Sequence, residues 1–457
     1  MITLIAVSGL GFVCLLLEIL NLRKILVPVT IIGLLAALSL TAYELCTGTL
    51  LMTEPYNMIV SNTYTQGFSI LFIILAMLII AMSPQFYADK ISKIADYVAL
   101  KVFLLAGAVA MVSFGNFAMF FIGLEVLSIA VYILAASDPK SLKSNEAGMK
   151  YFIMGAFASS FVLFGIALIY GAVGSFDIAM MPTVDLGSLP VWFYMGFILI
   201  LVGLLFKISA FPFHFWAPDV YEGSPAIVTA IMSTLVKVAA IAALIKVCAI
   251  LSIGKTPAFE YAIIVLSILT MSVGNITAMR QTNIKRMMAY SGISHAGFMM
   301  MALLITGIPD PNIVLYYAAA YGFAGVSAFA VILAVCGNSE NEDVSKFNGL
   351  AKTRPVLAIA MACALMSLAG IPIFSGFFAK FFLFEAMLER NLLILVIFGI
   401  LNSVIAAYYY FGVINNMFTK ESENKEQVKS ASIYKVIAVV AILLNLLLGV
   451  FPSIIMK

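Results

Sequence analysis

Charge is what this sequence has least of. Of its 457 residues only 10% are Asp, Glu, Lys or Arg, against about 25% in an ordinary soluble domain. A chain this long with so little polar surface cannot be coated for water, which excludes a water-soluble enzyme. Cysteine and histidine are also sparse. Five cysteines (Cys14, Cys46, Cys248, Cys336, Cys363) are scattered, mostly within apolar runs, with no CxxC or Cys/His cluster. Neither an Fe–S site nor a structural zinc therefore has ligands, and the cysteines read as small core residues. The net charge of +3, with no basic run standing apart from the loops, does not suggest nucleic-acid binding. No Gly-rich strand–helix fingerprint lies in a polar segment, so nucleotide or flavin binding has no place to sit. Redox chemistry, if any, belongs to other chains.

What the chain does have is hydrophobicity, 63% of its residues, in long continuous runs. The hydrocarbon core of a bilayer admits helices or closed barrels, and a helix needs about 20 apolar residues to cross it. Barrel strands would alternate over about 10 residues; these runs do not alternate, so the expected fold is an all-α membrane protein. Breaking the runs at charges and Pro/Gly punctuation predicts fourteen spans, near 2–20, 25–46, 67–83, 98–114, 116–136, 148–172, 190–215, 224–250, 258–278, 287–307, 312–336, 355–384, 391–418 and 432–453. Ser113-Phe114-Gly115-Asn116 supplies the turn that splits the long run 98–136. The first run contains Glu18 and lacks a basic leader and a cleavage site, so it reads as a retained span.

Basic residues test the count. With both termini outside, the inner loops carry Arg23, Lys24, Lys90, Lys93, Lys140, Lys143, Lys150, Arg280, Lys285, Arg286, Lys346, Lys352, Arg354, Lys420, Lys425 and Lys429. The outer segments carry only Lys255, Arg390 and Lys457. This is a strong positive-inside asymmetry, and dropping one span would destroy it. The most polar loops, 337–354 and 419–431, both fall on the inner face.

An ionisable side chain at mid-membrane costs about 2.5–3.5 kcal/mol even on the lenient insertion scale. Glu125, Lys207, Lys237 and Lys380 stand out by depth. Glu125 sits near the middle of its span; it is either a protonated carboxyl held by a hydroxyl or a carboxylate paired to a lysine of another span. Lys207 and Lys237 lie in apolar sequence, and Pro212 disturbs the helix beside Lys207. A buried lysine is pushed toward the neutral amine, a nearby carboxylate pulls it back, and one held between these influences can load and release protons. An arginine could not. A static ion pair or a snorkelling side chain is the competing explanation for each lysine. Lys380 follows Gly370, Pro372 and Gly376, the pattern of a discontinuous helix, with Glu385 and Arg390 near enough for snorkelling. Lys101, Lys246, Lys435, Glu18 and Glu44 lie nearer span ends, where snorkelling is the default.

The two Pro/Gly-interrupted lysine spans are the seventh and the twelfth. An odd offset reverses orientation, which suggests inverted five-span repeats with discontinuous helices, a transporter pattern. The expected division is an N-terminal three-helix segment 1–97, a first repeat 98–250, a second repeat 251–418, and an inner loop with the last span 419–457. His295 and, less so, His214 are candidate relays, since imidazole both donates and accepts; a hydrogen-bonding core role competes.

At these residues the chain resembles the antiporter-like subunits of respiratory complex I and their Mrp-type antiporter relatives. The segment Ser209-Ala210-Phe211-Pro212-Phe213-His214-Phe215-Trp216-Ala217-Pro218-Asp219-Val220-Tyr221-Glu222-Gly223-Ser224-Pro225 is similar to the family's signature after its seventh span. Gln281 to Ser291 resembles its approach to the tenth span, and Ala369-Gly370-Ile371-Pro372 through Lys380 its broken twelfth. The resemblance covers roughly 98–418, and Trp216 to Gly223 favours the N subunit over the M and L subunits. It implies Glu125 and Lys207 as a coupled ion pair, Lys237 as central proton carrier and Lys380 as terminal site. It further implies a proton-translocating subunit in a bacterial plasma membrane, packed on other membrane subunits. In such a complex NADH, FMN, Fe–S clusters and quinone are used by other subunits, with no cofactor bound here. A subunit of a cation/proton antiporter without a redox partner is the alternative, and a scaffold whose charges only hold the bundle together is a third.

Overall fold

Every long apolar run becomes a helix. The computed structural model describes residues 1–52, 56–183, 190–251, 256–305, 311–337, 342–421 and 432–456, and no strand occurs among them. In chain order come α1 Ile2–Ile19, α2 Arg23–Thr47, α3 Thr63–Ala81 with the short α4 Ser83–Phe86, α5 Ile94–Ser113, α6 Phe117–Ala135 and α7 Leu142–Val173. Then follow α8 Pro190–Ile208, α9 Trp216–Gly223, α10 Ala226–Ile231, a π-helical turn Met232–Val236 and α11 Lys237–Ile250. The chain continues with α12 Pro257–Ala278, α13 Ile284–Met300, α14 Pro311–Cys336 and α15 Leu350–Thr353. It ends with α16 Pro355–Ala369, α17 Ser375–Glu389, α18 Leu393–Thr419 and α19 Ser432–Val450.

Among the described residues thirteen helices are long and apolar enough to cross a membrane. Helices α16 and α17, fifteen residues each, are too short alone and together supply a fourteenth crossing. The expected boundaries change at the two interrupted spans. The seventh stops as a helix at Ile208 rather than near 215. The twelfth breaks after Ala369 and then runs on to Glu389, beyond 384. Lys255, Lys425, Lys429 and Lys457 lie outside the described residues.

Polar residues at loop edges start the helices. Asn62 and Thr65 form a capping box on α3, and the side chains of Asn116, Ser141 and Asn283 accept from the third residue of α6, α7 and α13. Between helices, α7 and α8 touch backbone to backbone: a Cβ on Gly165 would lie 2.5 Å from Gly196 O. Lipid tails supply no hydrophobic drive between helices, so such close van der Waals contact is what holds them. The segment Ala226–Ile250 is enclosed by α3, α5, α8 and α14, and its most apolar stretch is wholly buried. By contrast, only a third of the corresponding stretch of α7 is buried.

Candidate functional site

The site is built on the two broken helices, which end in the same way. At the end of α8, Ser209 takes a positive φ of 62°. Its N–H bonds Phe206 O, and the Ala210 N–H bonds Leu205 O. At the end of α16, Gly370 has φ 89°, its N–H bonds Ser367 O, and the Ile371 N–H bonds Met366 O. Both are Schellman stops, which satisfy the last carbonyls and turn the chain out of the helix. Trp216 then joins α9 back to α8 through Nε1–H to Phe206 O at 3.0 Å, stacked on Tyr151 with ring centroids 4.5 Å apart.

A lysine stands at each stop. Lys207 is in the last turn of α8, buried, with Nζ donating to Ser128 Oγ at 2.6 Å and lying 5.4 and 5.5 Å from the rings of Tyr132 and Tyr151. Lys380 reaches from α17 to the end of α16, where Nζ donates to Ala369 O at 2.9 Å and Leu368 O at 3.2 Å. The C-terminus of a helix carries partial negative charge and unpaired carbonyls. An ammonium can therefore be held there without a carboxylate.

Glu125 is not ion-paired to Lys207. It lies on α6 one turn from Ser128, close enough to act on Lys207 electrostatically, but its Oε1 is buried without a hydrogen-bond partner among the described residues. The direct pair expected from the resemblance is replaced by a serine hydroxyl that links the lysine to the same helix.

Lys237 opens α11 immediately after the π-helical turn. Its Nζ is buried with no hydrogen-bond partner among the described residues, 5.7 Å from the Tyr221 ring. Room for it is left by Gly292 of α13: a Cβ there would sit 2.7 Å from Lys237 Nζ and 3.0 Å from Tyr321 Oη. The Tyr321 ring is 5.0 Å from that of His295, and His295 Nδ1 bonds Tyr317 Oη at 2.8 Å. His295 Nε2 faces Tyr410 Oη at 3.4 Å, and Tyr410 in turn bonds Ser291. Both Lys237 and Lys380 are close enough to act on His295 electrostatically. Tyr151, beside Lys207, and Tyr221, beside Lys237, are close enough to act on each other, so the order along the interior is Glu125, Lys207, Lys237, His295 and Lys380. His214 stands apart, packed between the rings of Phe211 and Phe215 with its Nδ1 buried, and no hydrogen bond among the described residues ties Nδ1 to a partner or the ring to the row.

Sequence reasoning missed the hydroxyls that surround the lysines. Their signal was present in the spacing: Glu125, Ser128 and Tyr132 share one face of α6, and Tyr317 and Tyr321 one face of α14. Three residues near span ends do not snorkel as expected. Lys101 is fully buried, Glu44 is 1% exposed, and Lys246 caps α5 through Val112 O and Phe114 O at 2.8 and 2.7 Å. Glu18 pairs with Arg23, and Lys435 is exposed. Cys46 is exposed rather than a core residue, whereas Cys14, Cys248 and Cys336 are buried.

Two signature segments meet below the row. Arg286 Nη1 donates to Asp219 Oδ1 at 2.7 Å and Glu222 Oε2 at 3.1 Å, and Lys150 reaches Asp219 Oδ2 at 3.1 Å. Lys285 pairs with Glu342 at 2.8 Å, nearly sealed from solvent, and donates to Ser224 O at 2.6 Å. These contacts hold α9, the short helix that follows the break after α8, against α7 and α13. Asp219 loses some charge stabilisation to partial burial, but the bonds from Arg286 and Lys150 outweigh it and hold its carboxyl below the usual range.

Fold and site define a multi-pass helical membrane protein with a row of enclosed lysines organised around two helix breaks. The chain belongs to the NADH:quinone oxidoreductase/Mrp antiporter transmembrane family, whose profile matches residues 115–406, and within it groups with the subunit N relatives. It is 54% identical to the NADH-quinone oxidoreductase subunit N of Flavobacterium johnsoniae, with 99% of each chain covered. A chain of the respiratory complex I structure from Thermus thermophilus with bound aureothin is 29% identical, with TM-score 0.84 over 99% of this chain and 97% of that one. A chain of the Mrp complex from a Dietzia species superposes with TM-score 0.88 over 99% of this chain and 94% of that one, at 20% identity; this is a likeness of fold alone.

Proposed function

We propose that this chain is the proton-translocating N-type subunit of a bacterial NADH–quinone oxidoreductase. Electron transfer, with NADH, FMN, Fe–S clusters and quinone, takes place in other subunits, and this chain binds none of these cofactors. It packs in the plasma membrane beside further membrane subunits, antiporter-like ones included, with both termini on the outer face. Residues 98–250 and 251–418 act as inverted repeats, a reading supported by the matching Schellman stops of α8 and α16.

One observation carries the mechanism: Lys207, Lys237 and Lys380 are all enclosed, and among the described residues none has a carboxylate within ion-pair distance. A permanent cation so placed would be expensive. A lysine that gives up its proton is not. Lys207 holds its proton against Ser128 under the field of Glu125. Lys237 takes it at the centre, where no protein acceptor competes. His295, bonded to Tyr317, passes it toward Lys380, whose ammonium rests on the carbonyls of α16. His214 serves at most the approach to this row.

The test is Lys237→Met in the assembled complex, in sealed membrane vesicles. Protons moved per NADH oxidised fall well below the wild-type ratio while the complex still assembles. Wild-type pumping with normal assembly removes Lys237 from the path. Isolation of the chain without flavin and Fe–S subunits, in company only with antiporter subunits, would transfer it to the antiporter reading.

A further inference from the structure

Lys101 has no place in the row, and its surroundings resemble those of the row's lysines. It is the eighth residue of α5, roughly 10 Å along the helix from its start, and its side chain is wholly buried. Nζ donates to Ser83 Oγ at 2.8 Å and lies 4.8 Å from the centroid of the Tyr87 ring. Among the described residues no carboxylate lies within ion-pair distance of it. Its partners are a hydroxyl and a π-face, as for Lys207.

A route to it opens on the inner side. A cavity of about 240 Å³ is walled by Tyr87, Ser137, Asp138, Glu222, Lys285 and Glu342, among others. Tyr87 Oη and Ser137 Oγ are buried behind this wall, with no hydrogen-bond partner among the described residues. A cavity of this size is large enough for several waters, and the carboxylates, lysines and hydroxyls of its wall can partner them. Tyr87 therefore stands between the cavity and Lys101, with its hydroxyl unpartnered and its ring against the lysine. The other titratable groups nearby are Tyr97, whose ring lies 4.7 Å from that of Tyr87, and Tyr434; Asp96 and Asp138 act on Tyr97.

We infer that Lys101 is a further proton-loading residue, charged from the inner-face cavity by way of Tyr87. Tyr87 Oη makes no hydrogen bond with Lys101 Nζ at rest, so a water entering between them carries the transfer: a proton from the cavity reaches the Tyr87 hydroxyl, which gives up its own through that water, and the Lys101 amine becomes an ammonium hydrogen-bonded to Ser83. Release reverses these transfers. The inference rests on the proton-translocating reading above.

The test compares Lys101→Met, Lys101→Arg and Tyr87→Phe with Lys237→Met, each in the assembled complex in sealed vesicles. Complex content, NADH:quinone turnover and protons moved per NADH are measured together. Lys101→Met and Lys101→Arg are expected to lower the proton ratio by half or more with the complex assembled, and Tyr87→Phe to lower it in the same direction. A guanidinium keeps the positive charge but cannot give up its proton, so full pumping by Lys101→Arg shows a static cation and overturns the inference. Full pumping by Lys101→Met does the same. If neither variant assembles, Tyr87→Phe, which keeps the ring, decides; wild-type pumping there is fatal to the inference. Impaired Lys237→Met beside normal Lys101→Met sinks this inference alone, whereas normal pumping by both sinks the broader reading.

Discussion

Lysine, never arginine, occupies the deep cationic positions 101, 207, 237 and 380. The choice matters because only the ammonium can become neutral at modest cost. Three of the four are legible in the sequence: Lys207 and Lys237 lie in long apolar stretches, and Lys380 is marked by Gly370, Pro372 and Gly376 although Glu385 and Arg390 follow closely. Lys101 is not, because Asp96 and the loop before it are near enough to suggest snorkelling; α4 and Tyr87 fold over that end and close it off. The partners of the lysines are less legible, since a buried serine or tyrosine looks like any other small or aromatic core residue until its neighbours are known. Gly292 offers a test at this scale. An added Cβ would meet the far end of the Lys237 side chain, which can move, rather than rigid backbone. Gly292→Ala is therefore expected to leave the complex assembled while displacing the Lys237 amine and the Tyr321 hydroxyl, lowering protons moved per NADH several-fold. Unchanged pumping would show that the position of the amine is not critical.

At the scale of elements, the two breaks differ in how openly the sequence announces them. Gly370, Pro372 and Gly376 mark the twelfth crossing, and Gly370 supplies the positive φ that its stop requires. Pro212 marks the seventh, but the left-handed residue there is Ser209, and serine carries no such signal. Gly376 is pressed against the other half of its crossing: a Cβ would fall 1.9 Å from Ser367 O. Gly376→Ala must separate α16 from α17, at a cost of about 1–3 kcal/mol or more for such overpacking. Reduced yield and a lower dissociation temperature of the solubilised complex are the expected result; normal yield and melting would show that the halves can part freely. Asp219, which ties α9 to α7 and α13, adds a pH signature. Its folded pKa is depressed, so its contribution to stability is present above the unfolded value and is lost as pH falls through the folded one. The melting advantage of the wild type over Asp219→Asn should hold steady from neutral pH down to about 4 and shrink below that. An advantage independent of pH throughout would exclude the carboxylate's charge as its origin.

For the whole molecule, the pattern of spans was readable because bilayer thickness imposes one length on every crossing, and the basic residues punctuate the loops. The pairing of spans was not, since nothing in a hydropathy profile says that α14 lies against α3 and α19. Sidedness can be checked with a native residue. Cys46, exposed one residue before the end of α2, belongs to the outer face in the proposed orientation. An impermeant maleimide should label it in intact spheroplasts, with the label lost in Cys46→Ser. Labelling only in inverted vesicles would reverse the topology.

The enclosure of residues 226–250 bears on how the molecule is born. This crossing follows seven others out of the ribosome and carries two lysines, Lys237 and Lys246, which lipid would penalise. In the finished bundle it meets no lipid along its most apolar stretch. When it first emerges, α3, α5 and α8 already stand, and the carbonyls that receive Lys246 belong to the end of α5 and the residue beyond it. The wall formed by α13 and α14, where Gly292 and Tyr321 flank Lys237, is still unmade. One lysine thus finds its seat at once, and the other waits several crossings for its own.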